Sequence, residues 1–119
     1  MPPRLFIHPR SLDRLIVLVD TKESAGELFR FEYQARAPEP APADHVHPEQ
    51  EERIEVLAGT LRCRLDGREQ DLRAGQAIVI PAGAPHAVWN ADASGCRTVG
   101  EFRPALDAQA RFEAYFAAA

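Results

Sequence analysis

The chain has 119 residues, a length that suits a single domain with one hydrophobic core. Its composition, 45% hydrophobic and 27% charged with a net charge of −4, is typical of a soluble globular protein. Because the 14 basic residues are scattered along the sequence and form no basic face, binding to nucleic acid is not expected.

Membrane proteins and disulfide scaffolds are disfavoured as well. The longest purely aliphatic run, Leu15 to Val19, is too short to span a bilayer, and residues 1–10 have no apolar stretch typical of a signal peptide. Two cysteines, Cys63 and Cys96, are too few for a disulfide scaffold. We therefore expect a cytoplasmic protein with two reduced thiols packed in strands, and keep a single disulfide between them as the alternative.

The first predicted elements are strands with a period of two in hydrophobicity. Residues 13–19, DRLIVLV, predict a strand that is followed by a turn at residues 23–26. Residues 28–36, LFRFEYQAR, predict a strand with an aromatic and a polar face, Phe29, Phe31 and Tyr33 against Arg30, Glu32 and Gln34. The sequence leaves open which face is inward, so the pocket is lined either by Phe31 and Tyr33 or by Arg30 and Gln34.

The middle of the chain alternates between connectors and strands. Residues 37–43, APEPAPA, form a proline-rich connector, because each proline lacks the N–H group that a central strand needs. Further strands are predicted at residues 51–58, 60–65, 77–80 and 96–102; the second ends in the hairpin signal Asp66-Gly67, and the third is short and buried. Short strands separated by frequent turns predict an antiparallel sandwich or barrel.

The C-terminal residues change to a helical period. A helix is predicted at about residues 105–117, with Asp107 near its start. Its apolar stripe consists of Ala105, Ala108, Phe112, Tyr115, Phe116 and Ala119. Since a helix this short needs a surface to pack on, we expect the stripe to cover either the outside of the barrel or a partner subunit.

Two histidines lie one residue apart in DHVHPEQEERIEVLAG, residues 44–59. In an extended segment His45 and His47 point to the same face, so their imidazoles can bind one metal ion together. On the next strand Glu52 shares a face with Ile54 and Val56. We expect this aliphatic face, and with it the Glu52 carboxylate, to point inward.

A third histidine follows in GQAIVIPAGAPHAVWN, residues 75–90. His86 comes after a Pro-Ala-Gly turn and is expected to point inward with Val88 and Asn90. Three imidazoles and one carboxylate suit iron, manganese, nickel, copper, cobalt or zinc. The predicted ligands of one such divalent ion are His45, His47, Glu52 and His86.

These two blocks resemble the two motifs of the cupins. The first motif, G-x5-H-x-H-x(3,4)-E-x6-G, is matched at His45, His47, Glu52 and Gly59. The second motif, G-x5-P-x-G-x2-H-x3-N, is matched at every fixed position, by Gly75, Pro81, Gly83, His86 and Asn90. The opening glycine of the first motif would fall at Glu39, so the loop is expected to differ in shape there, outside the metal ligands.

The resemblance implies that residues 1–119 form one all-β domain, a double-stranded β-helix (jelly-roll barrel) with a core at about residues 25–103 and a short C-terminal α-helix. It also implies one divalent transition metal per chain, a small-molecule ligand or substrate, and a homodimer. Because the four-ligand set is intact, the favoured function is a metal-dependent enzyme of the dioxygenase, isomerase or decarboxylase type, with Glu52 as the candidate base. The alternative is a non-catalytic module that binds a small molecule or a metal.

Several other residues receive structural roles. His8 is expected at the N-terminal surface, Asn90 is expected to close a turn or support the site by hydrogen bonding, and Trp89 is expected to pack in the core or against a subunit. The predicted walls of the cavity beside the metal are Ile54, Val56, Leu61, Leu65 and Val88.

Overall fold

The computed structural model describes residues 4–117, in which nine β-strands precede one α-helix. The elements are β1 (Arg4–Ile7), β2 (Arg14–Val19), β3 (Phe29–Ala35), β4 (Glu51–Ala58), β5 (Thr60–Leu65), β6 (Arg68–Arg73), β7 (Ala77–Ile80), β8 (His86–Asn90), β9 (Cys96–Arg103) and α1 (Ala108–Ala117).

The strands form two antiparallel sheets. The larger sheet has the order β1-β2-β3-β9-β4-β7, and the smaller has the order β6-β5-β8. An isolated antiparallel bridge joins His45 to His86, at the start of β8. The sequence-based prediction of an all-β jelly-roll barrel with a short C-terminal helix is confirmed.

The core has two parts. One part, between the larger sheet and α1, contains Leu15, Val17, Phe29, Phe31, Phe102, Ala105, Ala108 and Phe116. The other, between the two sheets, contains Ile54, Val56, Leu61, Leu72, Ile80, Ala84 and Cys96. On β4 the alternation is regular: Glu52, Ile54 and Val56 are buried, as their spacing predicted.

One strand differs from its predicted environment. Residues 77–80 were expected to be buried, but Ala77 is exposed and Val79 is 49% exposed, while Ile80 is buried. The reason is alternation: Ile80 and the half-buried Ile78 point to the core between the sheets, whereas Ala77 and Val79 lie on the outer face of the larger sheet, which is open to solvent at this edge strand.

The C-terminal helix packs on its own barrel. The ring centroid of Phe112 lies 4.8 Å from that of Phe31, and the centroid of Phe116 lies 5.6 Å from that of Tyr33. The stripe therefore packs on the barrel itself, but against the inner face that carries Phe31 and Tyr33 and not against the outside, which was one of the two expected surfaces. Tyr115, a predicted stripe residue, is half-exposed, whereas Ala119 lies outside the described residues.

His8 is buried rather than at the surface. It is 4% exposed, and its Nδ1 accepts hydrogen bonds from the backbone N–H groups of Arg10 and Ser11. Its ring centroid lies 4.7 Å from that of Tyr115 on α1. The expectation was wrong because β1 pairs with β2 and brings this turn against the helix.

Gly100, in the middle of β9, makes room for a buried ring. It is the cross-strand neighbour of Phe31, and a Cβ atom at this position would lie 2.6 Å from Cζ of Phe31. Because that ring is packed among other aromatic rings, we expect Gly100→Ala to lower the free energy of unfolding by about 1–3 kcal/mol. Urea denaturation of the metal-free protein measures this loss.

Phe31→Leu provides the control for the Gly100 substitution. If the clash with the ring causes the loss, the cost of Gly100→Ala is expected to be smaller in the Phe31→Leu background than in the original chain. Equal costs in both backgrounds would contradict the steric explanation.

An ion-paired carboxylate lies on the same central strand. Oε1 of Glu101 accepts a hydrogen bond of 2.8 Å from Nε of Arg30. Burial, the largest single cause, would raise the pKa of Glu101, but the hydrogen bonds and charges of Arg30 and Arg103 together outweigh it, so the pKa lies below its usual value. A depressed pKa in the folded state stabilises the fold above the unfolded pKa of about 4.3, and this contribution disappears as the pH falls through the folded pKa.

We therefore expect Glu101→Gln to lower stability at pH 7 by about 1 kcal/mol, a value that allows for the partial exposure of Arg30. The difference from the original chain is expected to shrink toward pH 3. Thermal unfolding followed from pH 3 to pH 7 tests this, with Glu51→Gln, an exposed carboxylate at the start of β4, as the control. A Glu101→Gln difference that stays constant with pH would contradict the prediction.

Candidate metal centre

Backbone pairing brings the two histidine blocks together. The N–H of His45 donates to the carbonyl oxygen of His86 at 2.8 Å, and the N–H of His86 donates to the carbonyl oxygen of His45 at 2.9 Å. The N–H of Gly83, in the turn before β8, donates to the carbonyl oxygen of His47 at 2.9 Å. Gly83 has a φ of 83°, a conformation that glycine adopts without strain. These bonds hold the segment with His45 and His47 beside the first residue of β8.

The three histidines of these blocks form one group. One ring nitrogen from each of His45, His47 and His86 lies within 4.8 Å of the others. Two nitrogens that are each about 2.1 Å from a common ion can be at most about 4.2 Å apart. The three rings therefore lie close enough to form one metal site, but they have to turn toward a common point to bind one ion.

Glu52 lies against the same group. Its Oε1 is 3.1 Å from Nε2 of His86 and 3.5 Å from Nε2 of His47. Glu52 is 6% exposed and His86 is 1% exposed, so both groups are removed from solvent. The structure thus brings together all four residues that the sequence predicted as ligands: Glu52 and His86 are buried, His47 is half-buried and His45 is exposed.

The opposite side of the His86 ring is also fixed. Its Nδ1 lies 2.9 Å from the carbonyl oxygen of Ala84, which can only accept a hydrogen bond, so Nδ1 carries the proton. Nε2 then faces Glu52 and the other two histidines. A ligating histidine whose second nitrogen is held by a carbonyl group is a common arrangement at metal sites.

The electrostatics of the group are strongly coupled. Burial would lower the pKa of His86, but its hydrogen bonds to Glu52 and to the Ala84 carbonyl raise it above the usual value. Burial would raise the pKa of Glu52, but hydrogen bonds from His47 and His86 hold it below the usual value. Partial burial lowers the pKa of His45, and the neighbouring His86 adds to this effect. Glu52 is therefore a carboxylate at neutral pH, the form in which it can bind a cation.

A cavity of about 370 Å³ opens beside this group. The predicted walls Ile54, Leu61 and Val88 line it, whereas Val56 and Leu65 belong to the core instead. The open question about β3 is also answered, because Phe31 and Tyr33 line the cavity. On the other face of β3, Arg30 pairs with Glu101 and Gln34 donates to Glu32.

Part of the cavity wall could not be assigned from the sequence. Arg111, Phe112 and Tyr115 of α1 line it, as do Thr98 and Gly100 of β9. The apolar stripe of the helix was visible in the sequence, but not the surface on which it would pack. For Thr98 and Gly100, the only signal in the sequence was the alternation along residues 96–102, which places both residues on one face of the strand.

Residues with expected structural roles are also in place. Asn90 closes a turn, since its Nδ2 donates to the carbonyl oxygen of Asp92 and its Oδ1 accepts from the N–H of Asp92. Trp89 is buried, with the guanidinium carbon of Arg64 5.3 Å from its ring centroid, but it also lines the cavity, which its expected packing role did not include. Cys63 and Cys96 are both buried and free, and burial raises the pKa of each thiol to about 11.

Fold and site together define a class of protein, a jelly-roll barrel with a group of three histidines beside its cavity that could hold a metal ion. The Cupin_2 family model, described as a cupin domain, matches residues 24–99. The chain belongs to this cupin family, which confirms the resemblance found in the two motifs.

Solved structures with a similar fold include an RmlC-like cupin from Shewanella frigidimarina NCIMB 400, with a TM-score of 0.72 and 17% identity over 90% of this chain and 88% of that chain. A predicted oxalate decarboxylase from Thermotoga maritima has a TM-score of 0.71 and 13% identity over 87% and 93%. KdgF from Halomonas sp. has a TM-score of 0.68 and 18% identity over 82% and 83%. At these identities the likeness shows the fold alone. No curated protein matches the chain significantly.

The described residues 4–117 contain no helix that is both long and apolar enough to cross a membrane.

Proposed function

We propose that the protein is a metal-dependent enzyme that acts on a small organic molecule by dioxygenase, isomerase or decarboxylase chemistry. The proposed ligands of the metal are His45, His47, Glu52 and His86. The observation that carries the proposal is the position of this group, at the wall of a cavity of about 370 Å³ that is large enough for an organic ligand.

The donor set fits a divalent transition metal. Three neutral imidazoles and one carboxylate suit iron, manganese, nickel, copper, cobalt and zinc, and four protein ligands leave one or two positions open on a five- or six-coordinate ion. Open positions distinguish a catalytic metal site from a closed structural one. When bound, such a metal would act as a Lewis acid or as a meeting point for substrate and O₂.

The residues of the chain would supply the rest. Glu52 is the candidate base once it leaves the metal, because its Oε1 carries negative charge beside the cavity and lies 3.1 Å from a histidine that can share a proton with it. Phe102 packs edge-on against the ring of His47, with centroids 5.4 Å apart, and so helps to keep that ring oriented and dry. One of the structural neighbours is called a predicted oxalate decarboxylase, a name compatible with this reaction class.

The second candidate function is a non-catalytic module that binds a small molecule or a metal. The predominance of apolar groups on the cavity wall favours it, because the wall offers few acids or bases beyond Glu52. Turnover of any compound by the metal-loaded protein would distinguish the enzyme from the binding module.

Metal content is the first test of the proposed function. Protein purified without a histidine tag is expected to contain close to one metal ion per chain by mass spectrometry, and a His47→Ala/Glu52→Ala variant is expected to contain none. Screening for O₂ uptake and for decarboxylation by the metal-loaded protein would then identify the reaction. If the protein stays metal-free after reconstitution, the enzyme proposal fails.

We also propose a cytoplasmic homodimer. The outer face near the edge strand β1 exposes the apolar side chains Leu5, Ile7 and Leu18, and burial in a dimer interface would remove them from water. Light scattering in solution would measure the mass of the assembly, and a monomer at micromolar concentration would contradict the dimer.

A further inference from the structure

We propose that the cavity selects an aromatic molecule that carries two adjacent oxygen donors, and that helix α1 supplies the contact that recognises the ring. This inference rests on the proposed function, because the oxygen pair would bind the metal. It goes further because it names the substrate class, aromatic molecules. It also predicts that small polar dianions such as oxalate bind less tightly.

The first observation is a continuous aromatic wall that starts at the metal group. The ring of Phe102 contacts that of His47, with centroids 5.4 Å apart, and lies 6.0 Å from the ring of Phe112 on α1. Phe112 in turn lies 4.8 Å from Phe31 and 6.5 Å from Tyr33. A planar ring next to the metal group would therefore meet aromatic faces and edges, contacts that add to simple apolar burial.

The second observation is the scarcity of charge on the wall. Apart from the proposed metal ligands His45, His47 and Glu52, the polar and charged side chains that line the cavity are Tyr33, Glu39, Thr98, Arg111 and Tyr115, together with the indole of Trp89 and the thiol of Cys96. Arg111 is half-exposed, and its Nε lies 3.3 Å from Oδ1 of Asp107, a carboxylate that competes for it. A small dianion would lose its hydration against this largely apolar wall and would gain only Arg111 and the metal as cationic partners.

The third observation is how the wall is built. Gly100 has no side chain at the point where Phe31 crosses it, and this leaves the space that the Phe31 ring occupies in the cavity wall. The hydroxyl group of Tyr33 donates to Oδ2 of Asp13 at 3.3 Å, which orients its ring. Phe112 extends the same wall from α1, because it packs on Phe31 and Phe102, and it is only partly buried. Its ring is therefore available for contact with a ligand.

Two α-keto acids give a matched pair of probes. Phenylglyoxylate and pyruvate carry the same oxygen pair and differ in a phenyl ring against a methyl group. The protein would be loaded with zinc, which is redox-silent, and binding of each probe would be measured by calorimetry on zinc-loaded and metal-free protein. We expect phenylglyoxylate to bind the zinc-loaded protein at least about tenfold more tightly than pyruvate, the gain expected from burying the ring. Oxalate is expected to bind more weakly than phenylglyoxylate.

Variants of α1 test the role of the helix. Phe112→Leu keeps an apolar side chain but removes the ring, and we expect it to weaken phenylglyoxylate binding about three- to tenfold while leaving pyruvate binding unchanged. Phe116→Leu is the matched control, because Phe116 is an aromatic residue of the same helix that packs on Tyr33 and does not line the cavity. It is expected to change neither affinity, and circular dichroism would confirm that both variants are folded.

The outcomes separate this inference from the proposed function. Zinc content, measured on the same samples, decides the metal site. If zinc does not bind, the proposed function fails, and the metal-free arm still decides whether the cavity prefers the aromatic probe. Equal or tighter binding of pyruvate or oxalate, or equal effects of the Phe112→Leu and Phe116→Leu substitutions, would overturn the aromatic preference even if the metal site is confirmed.

Discussion

His86→Ala is expected to lower the affinity for a divalent transition metal by more than about a hundredfold. Changes to groups that only orient a metal ligand already cost about 10- to 100-fold, and His86 is itself a proposed ligand. The substitution removes Nε2, which faces Glu52 at 3.1 Å, and leaves that buried carboxylate with one fewer hydrogen-bond donor. Calorimetric titration of the metal-free protein with zinc measures the loss of affinity.

The control for this prediction is another histidine. His8 is buried like His86 but lies against Tyr115 and Phe116 of α1, away from the metal group. Asparagine can replace its Nδ1 as an acceptor for the N–H groups of Arg10 and Ser11, so His8→Asn is expected to bind zinc with the affinity of the original chain. Near-normal zinc affinity in His86→Ala would contradict the proposed ligand set.

The four proposed ligands were predictable because strand geometry determines direction. Side chains alternate along an extended chain, so the spacing of His45 and His47 places them on one face, and the alternation of Glu52 with Ile54 and Val56 gives the inward direction of the carboxylate. The pairing of the two blocks required more than alternation. The bridge between His45 and His86 joins residues far apart in sequence, and the two family motifs supplied that information.

The rest of the cavity could not be predicted, because it depends on where an element docks. The stripe of Phe112 and Phe116 indicated a helix that buries one face. The helical spacing of apolar residues does not show, however, on which surface that face packs. Only the structure shows that Phe112 packs on Phe31 and so becomes part of the cavity wall. The burial of His8 depends on the same docking, since its ring contacts Tyr115 on that helix.

The position of a strand within its sheet was the second feature that the sequence did not reveal. The apolar residues 77–80 have the composition of a buried strand, yet β7 is the last strand of its sheet and exposes Val79. Conversely, β6 has the polar sequence REQDLR and still pairs along its whole length with β5, because the Asp66-Gly67 turn directs it back. At sheet edges, where one face or one side is open to water, composition alone is therefore a poor guide to whether a segment forms a strand and whether that strand is buried.

Phe102→Ala is the substitution expected to cost the most stability. Phe102 is 2% exposed, and its ring lies within 6.0 Å, centroid to centroid, of the rings of Phe31, His47 and Phe112. It therefore connects the core to the metal group and to α1. Removal of a buried phenylalanine ring typically costs about 3–5 kcal/mol, part of which is the cavity left behind. Urea denaturation of the metal-free protein measures this loss.

The same substitution is expected to affect the metal site, because the Phe102 ring supports the imidazole of His47 edge-on at 5.4 Å. Without it His47 can rotate, and zinc affinity is expected to fall about tenfold or more, within the range seen when the support of a ligand is removed. Phe102→Leu refills most of the volume and is expected to recover more than half of the lost stability. Zinc affinity that is unchanged in Phe102→Ala, despite a large loss of stability, would show that the core holds the barrel together without orienting the metal ligands.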